Sequence, residues 1–279
     1  MSYKIVVDSC CDLPKEYISN EHISFVPLTL MVGDCTIVDD DTFDQKDFLK
    51  KVSECPTCPK SACPSPEVYE KEYDCDSKDV YVVTLSANLS GSYNSAAVGR
   101  DMYLENGGKN NVHVFDSKSA SIGEALIAME IIKQAESGKS FTEVVEAVEA
   151  YVEEMKTFFV LETLDTLKKN GRLSNIQAVL VSVLNIKPVM ASDQEGRIQK
   201  LDQARGINKA LAKMVEIIDA RIPDKEKKVL GISHCNNYER ALYVKNLIQE
   251  KCSFKDIVIS DTKGVASLYA ADGGIIISV

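Results

Sequence analysis

Histidine occurs only three times in this chain of 279 residues, and tryptophan is absent. His22 lies beside Glu21 in a segment that reads as surface. His113 sits inside an apolar strand pattern, where a core role is the plainer reading. His234 alone falls at a strand end, in Ser233-His234-Cys235, and is kept as a ligand-binding candidate. A Ser/His/Asp hydrolase would need a nucleophile elbow, and no G-x-S-x-G occurs. Consecutive residues on a strand face opposite ways, so His234 and Cys235 are poorly placed as a thiol–imidazole pair. Neither G-x-x-x-x-G-K-[ST] nor G-x-G-x-x-G is present, which removes the usual phosphate cradle and dinucleotide fingerprint.

Positive charge is also short. Lys and Arg total 32 against 42 Asp and Glu, for a net charge of -10. Phosphate backbones need a basic face, so a nucleic-acid partner is excluded. An anionic bilayer would repel such a chain, so membrane contact is at most transient. No apolar run approaches the length of a membrane span. Residues 1–8 lack the basic n-region and long apolar core of a signal peptide, so the cytoplasm is the expected location. Repeats and low-complexity segments are missing too.

What is present is the composition of a soluble globular protein, 45% hydrophobic and 27% charged. The length suits two domains. Cysteine is plentiful, at nine. The count is odd and the chain is too large to need a disulfide scaffold. Cys55-Pro56-Thr57-Cys58, with Cys63 and Cys75 following, admits a zinc or iron–sulfur reading, but a structural zinc site prefers two tight pairs. Reduced thiols acting as small hydrophobes is the plainer account, with no metal and no cofactor.

The pattern alternates between strand and helix. Strands are expected over 3–8, 23–31, 79–85 and 111–115, and helices over 43–52, 66–73, 90–105, 119–136 and 141–154. Such alternation implies a parallel sheet with helices on both faces, a Rossmann-like α/β domain over 1–155. From about residue 156 the style changes. A strand over 157–161 and a helix over 175–184 precede two strands, 187–192 and 197–204, joined at Glu195-Gly196 as an antiparallel pair. Helices over 207–220 and 238–251 then alternate with strands over 228–234, 256–260 and 274–279. This reads as a mixed-sheet α/β domain over 156–279.

The richest local chemistry is hydroxyl beside glycine. Residues 86–95, Ser-Ala-Asn-Leu-Ser-Gly-Ser-Tyr-Asn-Ser, follow a strand and open a helix. Ser90 or Ser92 can serve as an ordinary N-cap. With Gly91 and the free amides of a helix start, they also suit an anionic oxygen ligand, though from this segment alone the N-cap is the plainer reading. A second hydroxyl loop spans 60–66, with Ser61 at its head. Asp-Ser recurs at two strand ends, bringing in Ser9 and, just beyond the second, Ser119. Parallel sheets place ligands at those ends. Hydroxyls without a basic cluster fit a carboxylate better than a multiply charged phosphate.

These segments, taken in order over the whole chain, resemble the DegV family, which includes the fatty-acid-binding subunits of bacterial fatty acid kinase. Asp8-Ser9-Cys10-Cys11-Asp12-Leu13 resembles the family's D-S-x-x-D-L opening. Val26-Pro27-Leu28 resembles its second strand. Residues 60–66 resemble its T-S-x-P-S-P loop, and Leu89-Ser90-Gly91-Ser92-Tyr93 its L-S-G-T-Y segment. Leu167 to Leu173, with Gly171-Arg172, resembles L-x-x-G-R-[IL]. Lys187-Pro188 and Arg205-Gly206 fit its later points.

The resemblance implies a DegV-like two-domain protein with a long-chain fatty acid between the domains. Hydroxyls hold the carboxylate, an apolar tunnel takes the tail, and a separate ATP-dependent kinase makes the acyl phosphate. Such a protein presents a substrate and does no chemistry itself. Ser61 takes the position of the family threonine and Ser90 that of its serine, while Ala62 and Ser92 depart from the pattern. Many members end in a segment like H-x-G-P-G, whose His contacts the carboxylate. Here residues 268–274 contain no His; the Tyr269 hydroxyl can substitute, and packing between helix and strand is the equal alternative. Arg172 and Arg205, with Lys168 and Lys169, are implied as the kinase-docking face, apart from the hydroxyl loops. Two other readings stay open, a thiol- or His-dependent enzyme and a lipid or small-acid carrier without a kinase.

Overall fold

The computed structural model describes residues 2–173 and 185–279, and among these the strands form three sheets. The elements run β1 (Tyr3–Asp8), α1 (Lys15–Ile18), β2 (Ile23–Val26), β3 (Thr29–Val32), β4 (Cys35–Val38), α2 (Gln45–Glu54), β5 (Lys60–Ala62) and α3 (Pro66–Tyr73). They continue through β6 (Asp79–Thr84), α4 (Ser92–Glu105), β7 (Asn111–Asp116), α5 (Ile122–Glu136), α6 (Phe141–Glu154), β8 (Thr157–Val160) and α7 (Asp165–Lys169). Then come β9 (Ile186–Ser192), β10 (Ile198–Arg205), α8 (Ile207–Arg221), β11 (Val229–His234), α9 (Tyr238–Lys251), β12 (Asp256–Asp261), α10 (Gly264–Ala270) and β13 (Ile275–Ser278). None of the described helices is long and apolar enough to cross a membrane.

The first sheet is parallel, in the order β2-β1-β6-β7. Its strands read as near-continuous apolar runs because both faces are covered. Ile5, Val7, Tyr81 and Val83 pack on α5 and α6, while Val6, Val80 and Val82 pack on Tyr69, Tyr73 and Ala96 of α3 and α4. The second sheet is mixed, in the order β10-β9-β8-β13-β11-β12, with only β11 and β12 parallel. One face carries α8 and α9 over Val160, Leu230, Ile232 and Ile275. Helix α5 lies between the two sheets, touching β1 and β6 on one side and β11 and β13 on the other. Its Ile122, Ala125, Leu126, Ile127, Ala128 and Ile131 are all buried, as a helix apolar around its circumference requires.

The strand expected over 23–31 is two strands in different sheets. Pro27 has no N–H to give a ladder and stands at the break. β2 joins the parallel sheet, and β3 pairs antiparallel with β4 and β5 in a third, three-stranded sheet. Strands β4 and β5 were not expected, since both are short and largely exposed and carry no buried alternation. The antiparallel pair joined at Glu195-Gly196 is the β9–β10 hairpin. The helix expected over 175–184 lies outside the described residues.

Candidate functional site

A cavity lies between the carboxyl ends of the parallel strands and the face of the mixed sheet that α8 and α9 leave free. Thr157, Phe159 and Leu161 alternate along its floor, with Ile276 of β13 beside them. From Thr157 to Leu161 the floor runs about 13 Å, at about 3.3 Å per strand residue. Cys10, Leu85 and Leu89, from the loops after β1 and β6, form the opposite wall. Val265, Ala266, Tyr269 and Ala270 of α10 close one flank. The space between protein atoms is ≈ 740 Å³, open solvent at the mouth included, and its wall is almost wholly apolar.

One end of this cavity carries hydroxyls. The Ser61 hydroxyl, on β5, lies 3.0 Å from the Tyr269 hydroxyl. Pairing of β5 with β3 fixes Ser61 opposite Leu30, and α10 presents Tyr269. The Arg172 guanidinium lies 5.5 Å from the centroid of the Tyr269 ring. Its Nε donates to the Leu89 carbonyl at 3.1 Å and its Nη1 to the Asn170 carbonyl at 2.6 Å. Ser90 and Ser92 hydroxyls are 3.1 Å apart, and Ser90 Oγ also accepts from the Ser92 amide at 3.2 Å. The N-cap of α4 is Gly91, not a serine.

Ser61, Tyr269 and Arg172 therefore come together, with Ser90 the next residue after the wall at Leu89. The expectation that Arg172 stands apart from the hydroxyl loops is corrected, because its guanidinium holds the Leu89 carbonyl and lines the cavity. Lys168 and Lys169 are exposed in the last turn of α7. Arg205 is exposed at the end of β10, which runs in the same direction as β8 and leaves the sheet at the same end.

Other candidates sit elsewhere. Ser9 is buried, and its hydroxyl accepts from the Leu28 amide at 3.0 Å, tying β1 to the chain after β2. Ser119 lines the cavity at the end away from Tyr269, with its hydroxyl 2.6 Å from that of Thr157. His234 does not line the cavity. Its Nδ1 accepts from the Asn237 amide at 3.2 Å and lies 3.3 Å from Asp261. Burial lowers its pKa, while the Asp261 charge works against that.

Sequence reasoning missed a buried acidic group behind Cys10. The donor atoms of Asp8, Cys10 and Glu124 lie within 4.8 Å of one another. Among the described residues no other three His, Cys, Asp or Glu converge so closely, and the group at Cys55, Cys58, Cys63 and Cys75 does not. Asp8 accepts from the Cys10 amide at 3.0 Å and the Leu85 amide at 2.9 Å, which binds two cavity-lining loops together. Neither oxygen of Glu124 meets a hydrogen-bond partner among the described residues. Two carboxyls this close and this dry cannot both ionise. Burial pushes Asp8 up to about 6 and Glu124 well above its ordinary value, so Glu124 keeps the proton. Burial also pushes Asp12 up to about 8. Its carboxylate takes the Ser121 hydroxyl and, at 2.6 Å, the Lys263 amide. Ser121 sits at φ 62, a sparsely populated conformation for serine, and lines the cavity.

Comparison with known proteins adds to this geometry. The family model described as uncharacterised protein, DegV family, matches residues 2–279. A DegV domain-containing protein of Streptococcus pneumoniae is 36% identical over 280 residues, covering 99% of this chain and 98% of its own. A DegV-family protein of Ruminococcus gnavus, solved with vaccenic acid, is 46% identical and superposes with a TM-score of 0.98 over 100% of both chains. The Fatty Acid Kinase B3 protein of Streptococcus pneumoniae, loaded with linoleic acid, is 34% identical with a TM-score of 0.90, over 100% of this chain and 99% of that one.

Proposed function

Since this chain belongs to the DegV family, we propose that it binds one long-chain fatty acid and presents the carboxylate to a separate ATP-dependent kinase. The acyl tail occupies the apolar cavity, and the carboxylate sits at the Ser61–Tyr269 end, near Ser90 and Ser92. The single observation that carries this is an apolar cavity ending on a hydroxyl pair beside a guanidinium. Fatty acids in the Ruminococcus and Streptococcus structures support it. The same reading divides the chain into 1–155 and 156–279, with the ligand between.

Each buried methylene contributes about 0.8 kcal/mol, so the tail dominates affinity. Hydroxyl donors to the carboxylate, at about 1.5–3 kcal/mol each, set its orientation. The exposed Lys168, Lys169 and Arg205 serve the docking face. This chain supplies no reacting group: the kinase moves the terminal phosphoryl group of ATP to a carboxylate oxygen, leaving acyl phosphate and ADP. A Cys235 nucleophile is disfavoured because burial pushes its thiol up to about 11. The test supplies loaded protein, ATP and the cognate kinase and follows acyl phosphate. Formation that requires this protein supports the proposal. Tight fatty acid binding with no acyl phosphate would make the protein a carrier.

A further inference from the structure

The far end of the cavity is closed by the tip of the β9–β10 hairpin. Gly196 lines that end with Ser192, Lys118, Ser119 and Thr157. The turn is firm in itself: Asp193 Oδ1 accepts from the Glu195 and Arg197 amides at 2.9 Å each. It rests on the loop after β6 through two side-chain hydrogen bonds, with the main chain of Lys118 after β7 close beside it. Ser86 Oγ donates to the Gly196 carbonyl at 3.0 Å, and Asn88 Nδ2 to the Glu195 carbonyl at 2.6 Å. No side chain fits between. A Cβ on Gly196 would fall 2.4 Å from Ser86 Oγ and 2.7 Å from Lys118 Cα, and the residue sits at φ +74. Main chain thus meets main chain where the cavity ends.

We infer that the hairpin tip is the stop for the acyl tail and that Gly196 is a specificity-determining residue for chain length. The inference rests on the fatty acid reading above. A tail gains about fourfold in affinity for each further methylene it buries. Once it reaches the tip, the next methylene must lift the hairpin or double back, and the gain stops. Gly196→Ala forces the turn off its seat, because the Lys118 main chain cannot give way as a flexible side chain would. The paired change Ser86→Ala with Asn88→Ala loosens the same seat and adds no bulk.

The experiment titrates delipidated wild type and both variants with saturated C14, C16, C18 and C20 acids by calorimetry. Wild type should gain affinity with length and then level off or fall. In both variants the affinity ratio of C20 to C14 should rise by about fivefold or more, the effect of roughly one to two newly accommodated methylenes. Should Gly196→Ala fail to fold, the paired variant decides alone. Ratios within about twofold of wild type in every folded variant overturn the inference while the fatty acid reading stands. Wild type that binds none of the four acids overturns both.

Discussion

Tyr269 is the proposed carboxylate donor. Its hydroxyl meets Ser61 and its ring lies under Arg172. Tyr269→Phe removes the hydroxyl and keeps the ring. Fatty acid affinity should fall by about 1.5–3 kcal/mol, the worth of a hydrogen bond to a charged group, while stability changes by less than about 1 kcal/mol. Calorimetric titration beside urea unfolding separates the two, and unchanged affinity would remove the phenol from the carboxylate site. The buried acids give a second expectation. Asp12 holds its proton up to about 8 in the fold, whereas an unfolded carboxyl releases it near 4. The folded state therefore binds more protons across that window, and stability falls as pH rises through it, by about 1.4 kcal/mol per pH unit per group. Asp8 adds the same sign up to about 6, and Glu124 continues it higher. Exposed Glu143, whose pKa the Ser140 hydroxyl and amide lower, acts in the opposite sense at more acid pH. Glu124→Gln should flatten the decline in urea midpoint between about pH 5 and 8. An unchanged decline would mean that Glu124 is ionised in the fold.

At the scale of elements, α7 and the residues after it join the cavity to the surface. Leu167 and Arg172 face inward, and Lys168 and Lys169 face solvent. Arg205→Ala should keep fatty acid binding and slow acyl-phosphate formation, more so at low salt, as a charge that steers a partner does. Arg172→Ala should lower both, because its three contacts organise the hydroxyl end. Equal behaviour of the two variants, in titration and in the kinase assay, would contradict that division. Long periodic elements were legible: the run over 66–73 is α3, and the run over 141–154 is α6. Short ones were not. β5 has three residues and α7 five, too few for a period to register, yet each carries a site residue or its neighbour. Pro27 marked the break in the second strand, though apolar residues on both sides hid it.

For the molecule as a whole, the parallel and mixed sheets follow from the change of pattern near residue 156. The hydroxyl loops were legible as local motifs, and Tyr269 only by its place in the resemblance. The cavity was not, because its wall is drawn from Cys10 to Ile276 in single residues that share no motif. Nor was the buried acid group, since Asp8 and Glu124 meet only once α5 lies across β1. The most direct measurement extracts lipid from purified, denatured protein and identifies it by mass spectrometry against the amount of protein. The account predicts a long-chain fatty acid in about one-to-one ratio, since one apolar cavity ends on one hydroxyl pair among the described residues. Protein that carries no fatty acid, and after delipidation takes up none from C14 to C20, would contradict it.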